Sequence, residues 1–261
     1  MTEYGPYRNV SLSVEDGVAA LTLERPDSYN ALDTATMLDL RRAFHELSLD
    51  REIAVVTVEG AGASFSAGAD LSEYAGPTED HEGTQRRRQE LFRDLYRQVF
   101  EFHAPVVAKI HGYCVGAGLI LAMHCDMRIA TESAEFAIPT GDIGQIPGGG
   151  STRRAVDLLG ETAARELVYT AEYVGAERAL SLGLLNDAVP AADLDDAVAD
   201  RVDGIRSCGH GAVKAAKRSL NESVEAPDPE TAAEREAELW WEQFATEERE
   251  RLVAAFHEDR D

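Results

Sequence analysis

Two short loops carry residue types suited to holding a negatively charged oxygen. In SFSAGADLSE (64–73) the small residues Ala67, Gly68 and Ala69 precede Asp70, a residue type that caps helix starts. In HGYCVGAGLIL (111–121) the run Gly116-Ala117-Gly118 sits between a tight turn and an apolar stretch. Small side chains let backbone amides approach a ligand closely, and the first amides of a helix have no internal acceptor. Two such helix starts aimed at one oxygen would form an oxyanion hole. Each loop alone is also what a simple tight turn looks like. The acids and bases nearby are Asp142 in TGDIG, Glu73 and Tyr74 after the first loop, Glu135, and the histidines His103, His111 and His124. Asp142 is equally suited to an Asx turn before Gly144. Alternation along its strand turns Glu135 outward.

The elements that must position these loops are readable from hydrophobic periodicity. Residues 8–14 and 18–23 are β-rich around Asp16-Gly17, a hairpin signal. Met37, Leu40, Phe44 and Leu47 recur at steps of three and four and predict an amphipathic helix over 34–49. Residues 53–59 and 105–110 read as buried strands, 127–130 and 134–138 as short ones, and 112–124 as a turn entering a buried helix. The polar stretch 76–90 predicts a mobile loop, followed by a helix marked by Leu91, Leu95, Val99 and Phe102. After the Gly/Pro-rich loop 139–150 the pattern is almost wholly helical: 151–159, 161–170, 176–182, 192–206, 209–222 and 229–257. Alternating strands and helices followed by helices alone predict an α/β fold, organised as a core over 1–200 and a helical region over 201–261.

The chain has 261 residues, 25 Lys+Arg against 48 Asp+Glu, and a formal net charge of −23. Clustered positive charge is what nucleic acids and anionic membranes require, so neither is expected as a partner. No apolar run approaches the ~20 residues of a membrane span, and no secretory signal is visible. The three cysteines, Cys114, Cys125 and Cys208, lack metal-ligand spacing and read as reduced thiols in a cytoplasm. No metal site or nucleotide fingerprint is found. Only Lys109, Lys214 and Lys217 among the basic residues are lysines. An acidic, Lys-poor surface suits a protein working in molar salt, where charge is screened within ~3 Å. An ordinary acidic protein with Arg-rich coding is the alternative. Residues 222–261 carry 14 carboxylates and 4 basic side chains, yet Leu239, Trp240, Trp241, Phe244, Leu252, Val253 and Phe256 are too apolar to leave uncovered.

Taken together and in order, the strings ERPDSYNALD, GAGASFSAGADLSE, AKIHGYCVGAGLILAMHCDMRIATESAEFAIP, GDIGQIPGGGSTRRAVDLLG, LVYTAEYVGAERALSLGLLNDAVP and WWEQFATEERERLVAAFHEDR resemble the enoyl-CoA hydratase/isomerase (crotonase) family over residues 8–260. The resemblance implies a ClpP-like spiral of β-β-α turns whose C-terminal helices build a homotrimer, often stacked into a hexamer. It implies an acyl-CoA thioester as substrate, with its carbonyl between the amides of Ala69 and Ala117, and no cofactor beyond the coenzyme A that the substrate carries. Position 117 is usually Gly in the family; Ala retains the N–H. Arg25 and the loop 67–71 (Ala67, Gly68, Asp70, Leu71) match positions bordering the adenine and diphosphate. Tyr74, Gly116, Ile120, Pro139 and Gly148 match positions around the acyl group. Trp240 falls where an aromatic lines a neighbour's pocket or packs the trimer. The family's C-terminal Lys aligns with Asp259, followed by Arg260, which puts that phosphate contact in doubt.

The family's two catalytic glutamates are missing. Their positions hold Ile120 and Thr140, neither of which is a general base at neutral pH. Position 148, an Asp in some relatives, is Gly148. Two-glutamate hydration and single-glutamate isomerisation are therefore disfavoured. Decarboxylation of a malonyl-type CoA fits an oxyanion hole with few bases, since loss of carbon dioxide makes the enolate directly. A hydratase or isomerase with a relocated acid, most simply Asp142, and a non-catalytic acyl-CoA-binding subunit are the alternatives. Thr140 could instead hold a water or bicarbonate as a surrogate base. Adaptation to salt predicts that the protein unfolds reversibly when KCl is removed, followed by circular dichroism; full stability in dilute buffer would contradict it.

Overall fold

A computed structural model describes residues 4–74 and 81–258. Asp259 and Arg260 lie outside the described residues, as do residues 75–80. The opening hairpin pairs β1 (Val10–Glu15) with β2 (Val18–Leu23), and Glu15 faces Val18 across a two-residue turn. Asp16 and Gly17 both have positive φ, 47° and 78°, as the hairpin turn that matches strand twist requires. Parallel pairing then adds β3 (Val55–Gly60), β4 (Val106–Ile110), β6 (Met127–Thr131) and, at the far edge, β9 (Asp187–Val189). A second sheet holds β5 (Tyr113–Val115), β7 (Glu135–Ala137) and β8 (Val174–Gly175). From β4 to β7 the chain alternates between the large sheet and the small one, as the expected spiral requires.

The large sheet is buried on both faces. Val56, Val58, Val106, Ala108 and Ile110 join the main core with α1 (Thr34–Ser48), α2 (His81–Phe100) and α3 (Ala117–His124). Val55, Val107 and Ile129 face the other way, onto Leu194, Val198 and Val202 of α6 (Leu194–Arg206). Alternation along each strand accounts for this two-sided burial. In α1 the four periodic residues are all fully buried, and Asp33 caps its start by accepting from the Thr36 amide at 2.7 Å.

Several elements differ from the sequence expectation. Residues 81–90 belong to α2 rather than to a mobile loop. Some of their polar side chains have polar partners: Arg86 pairs with Glu82 one turn away at 2.6 Å, and Gln85 donates to the Glu73 carbonyl at 3.0 Å. Phe102 lies just past this helix and packs edge-on against Phe44. The stretch 151–170 breaks at Gly160 (φ 73°, ψ 164°), where the expected helices meet; together they form the kinked α4 (Ser151–Thr170). Residues 229–257 divide into α8 (Pro229–Phe244) and α9 (Glu247–Glu258), because Thr246 turns its hydroxyl to the Arg249 amide and starts a new helix. Between them and α4 lie α5 (Ala176–Ser181) and α7 (His210–Glu225). The strands β8 and β9 are two and three residues long, too short for an alternation signal. A buried Lys217 holds α7 to the sheet through the Ala104 carbonyl and the Asp126 carboxylate, at 3.0 and 2.6 Å. Among the described residues no helix is long and apolar enough to cross a membrane.

Asn30 ties the first sequence loop to the one that carries Ala69. It is buried with φ of 55°, a left-handed conformation that Asn tolerates. Its side-chain amide donates to the Ala61 and Ser64 carbonyls at 2.9 and 2.7 Å and accepts from the Arg25 amide at 2.9 Å. Asn30→Ala leaves all three backbone groups unpaired, so a loss of about 2–4 kcal/mol is expected, read as a melting temperature lower by roughly 5–15 °C.

Candidate active site

The two small-residue loops meet edge to edge. The Ser66 amide donates to the Tyr113 carbonyl and the Val115 amide to the Ser66 carbonyl, each at 2.9 Å. Gly68 has φ of 100°, and a Cβ there would lie 2.9 Å from the Val115 carbonyl oxygen and 3.3 Å from the Ala117 nitrogen. Glycine is needed both for its backbone and for this approach. A Cβ at Gly118 would fall 2.5 Å from that of Ser66.

This arrangement leaves two amides free. On the first loop, Leu32 donates to the Gly68 carbonyl and Asp70 to the Leu32 carbonyl, so the N–H of Ala69 between them has no partner. On the second, the Gly116 amide is spent on the Ala137 carbonyl, and Ala117 opens α3 with an amide that has no internal acceptor. Among the described residues neither amide donates to a protein group. Tyr96 of α2 donates its hydroxyl to the Ala117 carbonyl at 3.0 Å and fixes that turn from behind.

One expectation needs correcting. Only the second loop ends at an α-helix start. After the first, Leu71–Tyr74 form a single 3-10 turn. Asp70 caps that turn instead of a longer helix, accepting from the Ser72 hydroxyl at 2.6 Å and its amide at 3.1 Å. These bonds, with the Arg25 guanidinium 2.9 Å away, hold the Asp70 carboxyl below the usual range.

A cavity of about 320 Å³ opens beside the two free amides. Ala67, Gly68 and Ala69 line one side with Leu71 and Tyr74; Gly116, Ala117 and Ile120 form the floor. Pro139, Thr140 and Asp142, on the 3-10 turn Pro139–Ile143, and Gly148 close the other side. Arg25 and Asp70 do not line it. Arg25 instead donates to the Ala31 carbonyl and pairs with Asp70 and Asp33, so its charge holds the loop together. Asp142 is the one carboxylate among the described lining residues, and no Lys, Arg or His lines the cavity. The Thr140 hydroxyl is buried without a hydrogen-bond partner.

The other acids and bases go elsewhere. Glu73 accepts from the Thr34 amide and hydroxyl and pairs with buried Arg88 at 2.8 Å, which fastens the 3-10 turn between α1 and α2. Glu135 is exposed and points outward, as alternation predicts. His111 braces its turn through the Gly62 carbonyl at 3.0 Å. His103 and His124 lie outside the cavity, and burial pushes both down to about 4. Cys114 and Cys125 are buried, which raises their thiols and leaves them as packing groups. Among the described residues no cluster of His, Cys, Asp or Glu could hold a metal.

Eight lining residues are missed: Val115, Ile143, Gln145 and Ile146 adjoin segments already singled out, whereas Gln89, Phe92, Tyr96 and Tyr173 come from elsewhere. Gln89, Phe92 and Tyr96 share one face of α2 at steps of three and four. Phe92 and Tyr96 read as core and Gln89 as a solvated residue, so only the full helix shows that they form one wall. Tyr173 comes from the segment before β8 and packs edge-on against Tyr113 at the mouth.

A family model described as enoyl-CoA hydratase/isomerase matches residues 13–261. A short-chain-enoyl-CoA hydratase of Clostridium acetobutylicum is 35% identical over 253 residues, covering 97% of this chain and 95% of its own. The crystal structure of an enoyl-CoA hydratase from Bacillus anthracis superposes with a TM-score of 0.92 at 31% identity, covering 97% of each chain. A Thermobifida fusca protein solved in complex with CoA superposes with a TM-score of 0.83 at 27% identity, covering 91% of this chain and 93% of its own.

His124 supports the free amides indirectly. Its ring stacks on Tyr96 at 5.0 Å and contacts the Ile120 carbonyl at 2.8 Å. Folding holds it neutral, so the unfolded chain takes up a proton first as pH falls through about 6.5 and the folded protein follows near 4. Stability should be full above that window and drop by roughly 3 kcal/mol across it. His124→Gln should remove its share of the slope in the pH profile of denaturant unfolding and leave the share of His103, which burial pushes down to about 4 as well.

Proposed function

Because the chain belongs to the enoyl-CoA hydratase/isomerase family, we propose that it binds an acyl-CoA thioester with the carbonyl oxygen on the Ala69 and Ala117 amides, and that it makes the enolate by decarboxylating a malonyl-type acyl group. The observation that carries this reading is the pairing of two unpartnered amides with a cavity that holds Ile120 and Thr140 and, among the described residues that line it, one carboxylate, Asp142. In the reaction the bond from Cα to the carboxylate breaks and carbon dioxide leaves. The electron pair becomes the enolate C=C bond, with the charge on the thioester oxygen. The two amides stabilise that charge as it develops, in a cavity with largely apolar walls. Water or Asp142 then returns a proton to Cα. No general base is required before the bond breaks, which is why uncharged residues at 120 and 140 are compatible with turnover.

A second reading has a specific observation in its favour: Asp142 lines the cavity, and named relatives are hydratases. In it, Asp142 serves as the acid/base for hydration or isomerisation. Coenzyme A enters both readings as part of the substrate, bordered by Arg25 and the 67–71 loop. The exposed aromatic face of Trp240, Trp241 and Phe244 on α8, with α9 wholly unburied, supports self-association as a homotrimer or hexamer.

Purified protein in molar KCl, offered crotonyl-CoA, longer 2-enoyl-CoAs, methylmalonyl-CoA and ethylmalonyl-CoA, is read by mass spectrometry. Loss of carbon dioxide is expected. Gain of water would replace this reading with the second, and bound ester without product would leave a binding-only subunit. Ala117→Pro removes one amide at the first helical position, where proline is tolerated, so the melting temperature should hold while kcat falls about 10²–10³-fold. Asp142→Asn should leave carbon dioxide release nearly unchanged, whereas under the second reading it costs about 10²–10⁴-fold.

A further inference from the structure

Gln89 occupies an unusual seat. A Cβ added at Gly148 would overlap its side-chain amide: the carbonyl Oε1 lies nearest the glycine, with Cδ at 2.9 Å and Nε2 at 3.2 Å behind it. The amide therefore lies across the glycine backbone, in space that a side chain at position 148 would fill. Gln89 lines the cavity beside the free amides and also its outward extension between α2 and residues 143–148. Gln89 is an exposed residue whose side-chain amide makes no hydrogen bond within the protein among the described residues. Thr140, on the turn that closes the same cavity, has a buried hydroxyl that is also unpartnered. Burying such a hydroxyl without a partner costs stability, which a bound ligand would recover.

We propose that Gln89 and Thr140 form a neutral seat for the carboxylate of a malonyl-type acyl group, donating from Gln89 Nε2 and Thr140 Oγ1. This deepens the decarboxylation reading and rests on it. Neutral donors suit the reaction better than a cation would. A guanidinium would hold negative charge on the carboxylate, whereas the charge has to move onto the thioester oxygen as carbon dioxide forms. Neutral groups orient the carboxylate and bind it less strongly, so more of the binding difference favours the transition state. Orientation matters because the breaking bond must lie along the carbonyl π-system for the electron pair to enter it. Gly148 has its own part in this seat, since any side chain there would evict the Gln89 amide.

The test uses two unreactive thioethers, S-(2-carboxybutyl)-CoA and S-butyl-CoA, which differ only in the carboxylate. Neither has a thioester carbonyl to accept an electron pair, so binding is measured without turnover. Calorimetric titration of the wild-type protein in molar KCl should favour the carboxylated ligand by about tenfold or more. Gln89→Leu should abolish that preference while S-butyl-CoA affinity stays within about twofold. Gly148→Ala should reproduce the loss from the opposite side of the contact, with each variant's melting curve confirming its fold. No preference in the wild type, a preference that survives Gln89→Leu, or equal weakening of both ligands would overturn the proposal. A clear preference with no carbon dioxide released from ethylmalonyl-CoA would leave the seat standing and remove the decarboxylation reading. Carbon dioxide release unaltered by Gln89→Leu, with the preference intact, would do the reverse.

Discussion

The close contact between the Gly68 and Ala117 loops is the constraint on which the remainder of the site depends. It is set by main-chain bonds through Ser66 and by the absence of side chains at Gly68 and Gly118. Once the loops are in register, their other amides are consumed by strand-like pairing: Asp70 to Leu32, Val115 to Ser66, Gly116 to Ala137. The amides of Ala69 and Ala117 are what remains. The free donors are thus a by-product of pairing nearly everything around them, which also makes them rigid. Rigid donors cost no reorganisation when charge develops, the condition under which such groups contribute most. Asn30 and Tyr96 extend that rigidity in opposite directions, one into the first sequence loop and the other into α2.

Charge is distributed in a way that fits this design. A chain of net charge −23 presents a surface that repels an anionic ligand at low ionic strength. Within the cavity, though, Asp142 is the sole carboxylate among the described lining residues, and Glu73, Asp70 and Asp33 are turned into structural pairs with Arg88 and Arg25. These three acids are therefore held in ion pairs away from the two free amides. Repulsion from the outer surface acts over a longer range and is removed by salt, whereas contacts between partly buried groups are screened much less. Molar salt would weaken the first effect and leave the second.

How legible these features are depends on whether their cause is local. The hairpin, α1 and the break at Gly160 are written in short-range patterns: an Asp-Gly turn, a 3.6-residue stripe, a glycine where the backbone must leave helical space. The two oxyanion loops are recognisable because tight turns demand small residues in a fixed order. Residues 81–90 mislead because their polarity reads as solvation, when Gln85 donates to the Glu73 carbonyl and buried Arg88 pairs with the Glu73 carboxylate, across a loop. Arg25 has a structural part that its sequence position does not show: the fold places two carboxylates, Asp33 and Asp70, upon it. The end of α8 at Ala245 turns on one threonine hydroxyl, a signal too small to outweigh a long run of helix formers.

Helix α2 shows why the site's polar character could not be inferred from its loops alone. On a helix, residues 85, 89, 92 and 96 recur at steps of three and four and so share a face. In this structure that face meets three different environments in succession: the Glu73 carbonyl, the Gly148 backbone, and the Ala117 carbonyl. Its polar ends and aromatic middle are therefore not a failed amphipathic pattern; each is matched to what the spiral brings opposite. The loops leave two unpartnered amides side by side. The helix determines what else can enter beside them, and a glutamine opposite a glycine is a combination whose meaning appears only when the two segments, 59 positions apart in the chain, are packed together.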